Sequence, residues 1–284
     1  MTHPRLSIVT CCKGRLKYLK QTLPTFVAQA ESEVVVVDYD CPEGTDEWVA
    51  TSFPEVRRVA VTEAPVFNLS RARNLGAAHA RAAWLLFCDA DDLLSSSFSS
   101  DVLRLAVPGT YQRTLRRNKP ASVPLACEAT TFSAVGGYDD AMQGWGMEDV
   151  EFTARLGKSG VREVIGSAKV LENLWHSRAE VIRYYEQTVE VSVVVNHYYC
   201  YIKGRYFETA GRWFTDEQRR STYAGVQRAV LASLADAERD ATFDIPVVAS
   251  APPWAARLKA SDVRSFFKLQ SERLEEKPPP APST

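Results

Sequence analysis

Ala83-Trp84-Leu85-Leu86-Phe87-Cys88-Asp89-Ala90-Asp91-Asp92 is the stretch that decides how this chain folds. Six apolar residues in a row make a strand buried on both faces, and the run stops on a group of carboxylates. A strand without polar alternation belongs to a parallel sheet covered by helices on both sides. In such sheets ligands gather at the carboxyl ends of the strands, which is where Asp89, Asp91 and Asp92 fall.

The neighbouring sequence repeats the same unit. Leu6 to Cys11 reads as a buried strand, followed by Leu16, Leu19, Leu23, Phe26 and Val27 at helical spacing. Glu33 to Asp38 contains four consecutive valines, stiff at χ1 and suited to a pleated surface. Val56 to Val61 makes a third strand. Leu69, Ala72, Leu75 and Ala78 then form a helix capped by Asn68. Strands alternating with helices predict an α/β fold with a mostly parallel sheet flanked by helices. Its strand ends bring Cys11 to Arg15, Asp38 to Asp40 and Asp89 to Asp92 to one rim.

Beyond this core the pattern changes. Thr110 to Thr131 mixes short β-like runs with Arg113, Arg116, Arg117 and Lys119, and Glu148 to Gly157 reads as a helix. After Ser177 the alternation ends in an aromatic-rich block and a helical stretch from Asp216 to about Arg239. Val189 to Tyr201 fits helix or strand, because its β-branched run conflicts with helical neighbours. The division expected is a catalytic domain over 1–178, a helical C-terminal extension over 179–276, and a disordered tail over 277–284 rich in proline.

Bulk properties narrow the class. A length of 284 residues supports a full core, and 45% hydrophobic with 24% charged residues is ordinary for a soluble globular protein. A net charge of −1 argues against a nucleic-acid surface. The six cysteines show no CxxC pair or metal-type spacing and read as reduced thiols. No segment approaches the roughly 20 apolar residues of a membrane span. The first residues pass directly into a strand, leaving no room for a signal peptide.

A second marker lies downstream. Gly136-Gly137-Tyr138-Asp139-Asp140 is followed by Gly144-Trp145-Gly146-Met147-Glu148-Asp149, a glycine-flanked loop that opens the helix at Glu148. With the strand ending in Asp89-Ala90-Asp91, this order of motifs resembles the metal-dependent, inverting GT-A glycosyltransferases of family 2. The likeness is greatest to the bacterial chondroitin-polymerase type and the β-1,4-galactosyltransferases, and covers Leu6 to His176. It implies a GT-A (nucleotide-diphospho-sugar transferase) fold and transfer of a sugar from a nucleotide diphosphate, with UDP expected, to a glycan or lipid-linked glycoconjugate hydroxyl.

The resemblance also implies residue roles. Asp91 is the direct ligand of Mn²⁺ or Mg²⁺, Asp89 supports the metal or contacts the ribose, and His176 completes the protein ligands; hard oxygen donors suit these ions. Asp149 is the general base, Glu148 hydrogen-bonds the acceptor, and Trp145 is a sugar platform on a loop that glycines allow to close. Thr10, Arg15, Asp38, Asn68, Arg73 and Asp89 form the nucleotide-sugar pocket, Lys13 keeping a positive charge beside Arg15. Structural readings stand beside these. The acidic triplet also suits a solvated loop, His176 a core histidine beside Trp175, Trp145 a buried anchor, and Glu148-Asp149 a plain helix start favoured by the macrodipole.

The chain departs from the family in three places. Cys11-Cys12 replaces the Pro-Phe before the basic pair. Leu69 stands where relatives carry arginine, so Arg71 or Arg73 must substitute, while a solvated helix face is the alternative use of either. Ser122-Val123-Pro124 replaces a small Gly-containing pair beside the donor sugar. Golgi relatives carry a membrane anchor; without one the expected setting is the bacterial cytoplasm, peripheral at the inner membrane, or an excised catalytic domain. The segment 254–274, with Val263, Phe266, Phe267 and Leu274 on one face, suits a membrane surface, though packing on its own domain is the commoner use. Two other functions fit the sequence less well: a sugar-phosphate nucleotidyltransferase, whose glycine-rich loop is missing here, and a non-catalytic glycan-binding or scaffold subunit, which has no need of both carboxylate motifs.

Overall fold

Four consecutive valines show how the sheet is buried. Val34 and Val36 pack into one hydrophobic cluster, Val35 and Val37 into another. Successive side chains of a strand point to opposite faces, so a continuous apolar run feeds two cores at once. Leu6 and Ile8 against Val9, and Trp84 and Leu86 against Leu85 and Phe87, divide in the same way. Each such side chain contributes about 1.5–3 kcal/mol on full burial.

The computed structural model describes residues 3–116, 119–236, 241–245 and 256–273. Arg117, the side chains of Ser122 and Val123, Leu274 and the proline-rich tail lie outside them. The chain forms two compact units, one of Met1–Asp139 with Asp149–Glu180, the other of Asp140–Glu148 with Val181–Thr284.

The first unit begins β1 (Leu6–Cys12), α1 (Leu16–Val27), β2 (Ser32–Tyr39), α2 (Thr45–Ser52), β3 (Arg57–Val61), α3 (Leu69–Ala78) and β4 (Trp84–Phe87). It continues with β5 (Asp92–Leu94), α4 (Phe98–Arg104), β6 (Thr110–Arg116), β7 (Lys119–Glu128), α5 (Ala129–Ala134), α6 (Glu148–Lys158, its first residue assigned to the second unit), β8 (Arg162–Asn173) and the short α7 (Arg178–Ile182), which straddles the boundary between units. The eight strands are ordered β3-β2-β1-β4-β7-β6-β8-β5. β3, β2, β1 and β4 are parallel, as are β6 and β8. β7 runs antiparallel to both β4 and β6, and β5 antiparallel to β8. The chain builds outward from β1 to β3 and then returns to lay β4 on the other side of β1. That reversal is a topological switch point, the usual site of ligand crevices in open α/β sheets.

Helices α1 and α4 cover one face through Leu19, Leu23, Phe26 and Phe98; α3, α5 and α6 cover the other through Ala72, Phe132, Phe152 and Leu156. The expected strands and helices appear with small shifts in their ends. Among these elements α2, β5, α4, α5, α7 and β8 were not legible in the sequence: all but β8 are short, and β8 owes its twelve residues to two different partners, β6 and then β5.

The second unit contains α8 (Val189–Ala210), α9 (Asp216–Ala235), β9 (Thr242–Ile245) paired antiparallel with β10 (Ala256–Lys259), and α10 (Ala260–Arg273). The ambiguous valine-rich stretch is helical. Thr188 caps it by accepting the Val191 N–H, and Val193, Val194, Val195, Tyr199 and Ile202 are buried in the core, so tertiary burial overrides β-branched propensity. α9 starts with a capping box between Thr215 and Gln218.

A single boundary at residue 178 does not describe this division. Ala141 and Met142 lie in the core of the second unit. Tyr223 Oη donates to Gln143 O at 3.0 Å, and Asn196 Nδ2 donates to Gly146 O at 2.8 Å. The segment 140–148 is thereby tied to α8 and α9. The apolar face of α10 is used internally as well. Val263 is fully buried, Phe266 and Phe267 pack on the same core, and Phe266 stacks on His197 with ring centroids 4.3 Å apart. Arg264 donates to the Ser233 and Asp236 carbonyls. Val263, Phe266 and Phe267, three of the residues that suggested a membrane surface, thus pack within the chain. Among the described residues no helix is long and apolar enough to cross a membrane.

Candidate active site

The loops at the ends of β1 and β4 meet at the switch point. Asp91 is buried there, with His176 Nδ1 3.0 Å and Arg15 Nη1 3.5 Å from its Oδ2. The β5–β8 pairing brings the histidine in: Asp92 is opposite Asn173, Asn173 Nδ2 donates to Asp92 Oδ1 at 3.2 Å, and Leu174 N–H donates to Asp91 O at 2.8 Å. Burial alone would raise the Asp91 carboxyl, but the His176 hydrogen bond and the Arg15 guanidinium outweigh it and hold it below the usual carboxylate range. Asp92, fully buried, also accepts the Asp89 N–H, which makes it the brace of this turn.

Three residues absent from the sequence reading stand behind His176. The ring of Tyr18 on α1 meets the imidazole edge-on at 5.9 Å, and Tyr18 Oη donates to Glu180. Glu180 also accepts from Lys17 and from the Ser177 N–H. The Lys17 hydrogen bond is the main cause that draws the Glu180 carboxyl down to about 2. Lys17 and Tyr18 are adjacent, but Glu180 lies more than 160 residues on, so the group carries no local signal.

Arg73 organises a second group of carboxylates. Asn68 Oδ1 accepts the Arg71 N–H at 2.8 Å and starts α3 as expected. The helix leaves Arg71 exposed and buries Arg73. Arg73 Nη1 donates to Asp149 Oδ1 at 2.7 Å, and Nη2 to Asp89 Oδ1 at 3.1 Å. Its guanidinium carbon lies 4.9 Å from the centre of the Tyr138 ring. Asp89, offered by the resemblance either to the metal or to the ribose, thus has one carboxylate oxygen engaged by Arg73. Among the described residues no group of three His, Cys, Asp or Glu is assembled as a metal shell. Asp91 and His176 still fit a divalent ion by donor type and spacing, since neighbouring ligands at about 2.0–2.1 Å in an octahedral shell stand about 3.0 Å apart.

Three further residues named from the sequence have well-defined surroundings. Lys13 is buried and donates to the Tyr39, Asp40 and Ala64 carbonyls at 3.1, 2.9 and 2.7 Å, so its charge staples loops together. Thr10 is fully buried inside β1. Asp38 accepts the Cys41 and Asp46 N–H groups, both at 2.7 Å, and shapes the turn into α2, while burial pushes its carboxyl above the usual value. Beside it, a hydrogen bond from Cys12 is the main cause that lowers the Cys41 thiol to about 6, and Cys12 itself is pushed up.

The glycine motif is anchored by the asparagine of α3. Asn74 Oδ1 accepts the Tyr138 N–H at 2.8 Å and Asn74 Nδ2 donates to Tyr138 O at 2.9 Å. Gly137 sits at φ +65°, and a Cβ there would lie 2.6 Å from Asn74 Oδ1. In the second unit Gly144 has φ +74°, and a Cβ would lie 2.2 Å from Ser192 Oγ. These glycines serve close packing and left-handed turns. Trp145 is 40% exposed, unlike a buried anchor, and Glu148 is half-buried in the same unit.

Residues 7–112 match the model of glycosyl transferase family 2, and residues 111–189 match the N-terminal domain of galactosyltransferase. No curated protein matches the chain. Among solved structures, TarS 1–349 of S. aureus aligns with a TM-score of 0.54 at 14% identity, covering 79% of this chain and 72% of that one. The mannosyltransferase PcManGT from Pyrobaculum calidifontis, in complex with GDP-Man and Mn²⁺, aligns with a TM-score of 0.52 at 14% identity over 96% of this chain and 81% of its own. TarS 1–349 with UDP gives 0.51 at 14% identity, covering 82% of each chain. At such identities the likeness speaks for the fold. Asp89-Ala90-Asp91 falls within the first matched stretch, and Trp145 to Asp149 with His176 within the second. With two glycosyltransferase models matching consecutive stretches of one GT-A sheet, the chain is a glycosyltransferase of the GT-A fold, its first part similar to glycosyl transferase family 2.

Proposed function

We propose that this enzyme transfers a sugar from a nucleotide diphosphate, UDP, to a hydroxyl of a glycan or lipid-linked glycoconjugate, with inversion at C1 and with the help of Mn²⁺ or Mg²⁺. The observation that carries the reading is the meeting of Asp91 and His176, 3.0 Å apart at the sheet's switch point. Both were singled out as metal ligands from separate motifs. The UDP and the GDP-Man with Mn²⁺ held by TarS and the mannosyltransferase belong to those proteins; the shared fold extends the donor class to this chain as a hypothesis.

Asp91 and His176 are the residues that would hold the ion. Bound there, a divalent cation offsets negative charge building on the leaving diphosphate. Arg15 adds a fixed positive charge on the same carboxylate. Asp149, at the start of α6, accepts the proton of the acceptor hydroxyl as that oxygen attacks C1 from the face opposite the nucleotide. Asp89 is assigned to the ribose, Asn68 and Asp38 to the walls of the nucleotide pocket, and Trp145 and Glu148 to acceptor recognition. No disulfide joins the six cysteines, and the reducing cytoplasm is the setting proposed for the enzyme.

A panel of nucleotide sugars assayed for hydrolysis, with and without Mn²⁺ or Mg²⁺, tests the donor without knowledge of the acceptor. Metal-dependent release of UDP from one or a few UDP-sugars is expected. Equal release in the presence of a chelator, or preference for a guanosine donor, overturns the metal or the UDP part of the reading.

A further inference from the structure

We infer that Arg73 is a positioning residue, one that aims the base Asp149 by tying it to the first acidic motif. The inference rests on the proposal that Asp149 is the base. It reverses the sequence expectation that Arg73 binds the nucleotide. The Arg73 side chain is 3% exposed, and two of its guanidinium nitrogens are engaged with carboxylates, Asp149 at 2.7 Å and Asp89 at 3.1 Å. The guanidinium is a planar fork whose separate N–H groups can hold two acceptors in fixed directions, which a lysine ammonium cannot reproduce.

The surroundings fix the fork. Tyr138 lies beneath it, the guanidinium carbon 4.9 Å from the ring centre, an attractive cation–π arrangement. Tyr138 in turn stacks on Phe152 at 4.4 Å and meets Phe87 edge-on at 5.2 Å. Phe152 lies on α6, the helix that carries Asp149; Phe87 ends β4, the strand that leads to Asp89. One aromatic group therefore braces both elements that Arg73 bridges, and Asn74 clamps the Tyr138 backbone from both sides. An aspartate on a helix's first turn otherwise has several rotamers of similar energy. Here one rotamer is selected before the acceptor arrives, the kind of pre-orientation whose loss through a small misplacement slows chemistry by about 10²-fold.

The test uses the full chain, with UDP plus Mn²⁺ as the binding probe and turnover on the nucleotide sugar that the panel selects. Arg73→Lys keeps the charge without the fork; Arg73→Gln keeps hydrogen bonding without the charge and serves if the lysine variant does not melt cooperatively. Either is expected to lower kcat by about 10²-fold while the affinity for UDP plus Mn²⁺ stays near wild type. Adding either to Asp149→Asn should cost nothing further, because the group being aimed is already disabled. Loss of UDP affinity with kcat retained would make Arg73 a nucleotide ligand and overturn the inference, as would losses that multiply in the double variant. Full turnover by Asp149→Asn alone is a separate failure, that of the base assignment itself.

Discussion

His176 Nδ1 stands 3.0 Å from Asp91 Oδ2, and the contact exists because β5 and β8 pair with Asp92 opposite Asn173. Strand pairing, rather than any local motif, delivers the imidazole to the acidic loop. If these two side chains hold the ion, Asp91→Asn should abolish transfer and remove the metal-dependent part of UDP binding. Chelation should silence the wild type, and Mn²⁺ or Mg²⁺ should restore it. Calorimetry of UDP binding with and without metal reads this directly, and unchanged turnover in chelator would rule the site out.

The support behind His176 should be measurable on its own. Glu180 receives Lys17, Tyr18 and the Ser177 N–H, and Tyr18 touches the imidazole. Glu180→Ala should raise the metal concentration needed for half-maximal activity by about 10-fold, the lower end for loss of an outer-sphere partner. The maximal rate at saturating metal should be largely kept. An unchanged metal requirement would reduce Glu180 to a surface ion pair.

Asp149→Asn keeps size and hydrogen-bonding capacity but cannot take a proton. Turnover should fall by about 10²–10⁴-fold with donor affinity retained. The same base, acting across from the leaving group, requires that an α-linked donor give a β-linked product, readable from the anomeric proton coupling by NMR. An α-linked product would withdraw the role given to Asp149.

Gly137→Ala places a methyl 2.6 Å from Asn74 Oδ1 and 3.1 Å from the Phe132 ring, at φ +65°. The variant should lose about 1–3 kcal/mol of stability in urea or thermal unfolding, the usual cost of a strained backbone position. Gly136, at φ +81° with no heavy atom near its added Cβ, should tolerate alanine better, since only the backbone term applies. Equal losses at both positions would refute the close-packing account of Gly137.

Cys41 should be the first thiol to react with iodoacetamide, with a rate midpoint near pH 6, where its pKa is held chiefly by the Cys12 hydrogen bond. The folded value lies below the unfolded one, so this group favours the native state fully above about pH 8.5 and loses that effect as pH falls through about 6. Mass spectrometry of singly alkylated protein gives the site; labelling of buried Cys12 or Cys127 first would contradict the assignment.

Much of the first unit was determined by the sequence alone. The valine and Trp84–Phe87 runs specify strands because each residue's alternation and stiffness are local properties, and Asn68 caps α3 through a bond to a residue three positions away. The identities of Asp91, Asp149 and His176 as candidates followed from motif order. Tertiary structure alone decided the partners. Asp89 faces Arg73 because α3 lies over the same sheet face as α6, while β8, pairing first with β6 and then with β5, lays His176 beside Asp91. The same holds for the helix made by the valine-rich stretch at 189–201 and for the grouping of Asp140–Glu148 with the second unit. In each case the local preference is weak or divided, and the apolar surface buried by contacts distant in sequence, worth several kcal/mol together, outweighs it.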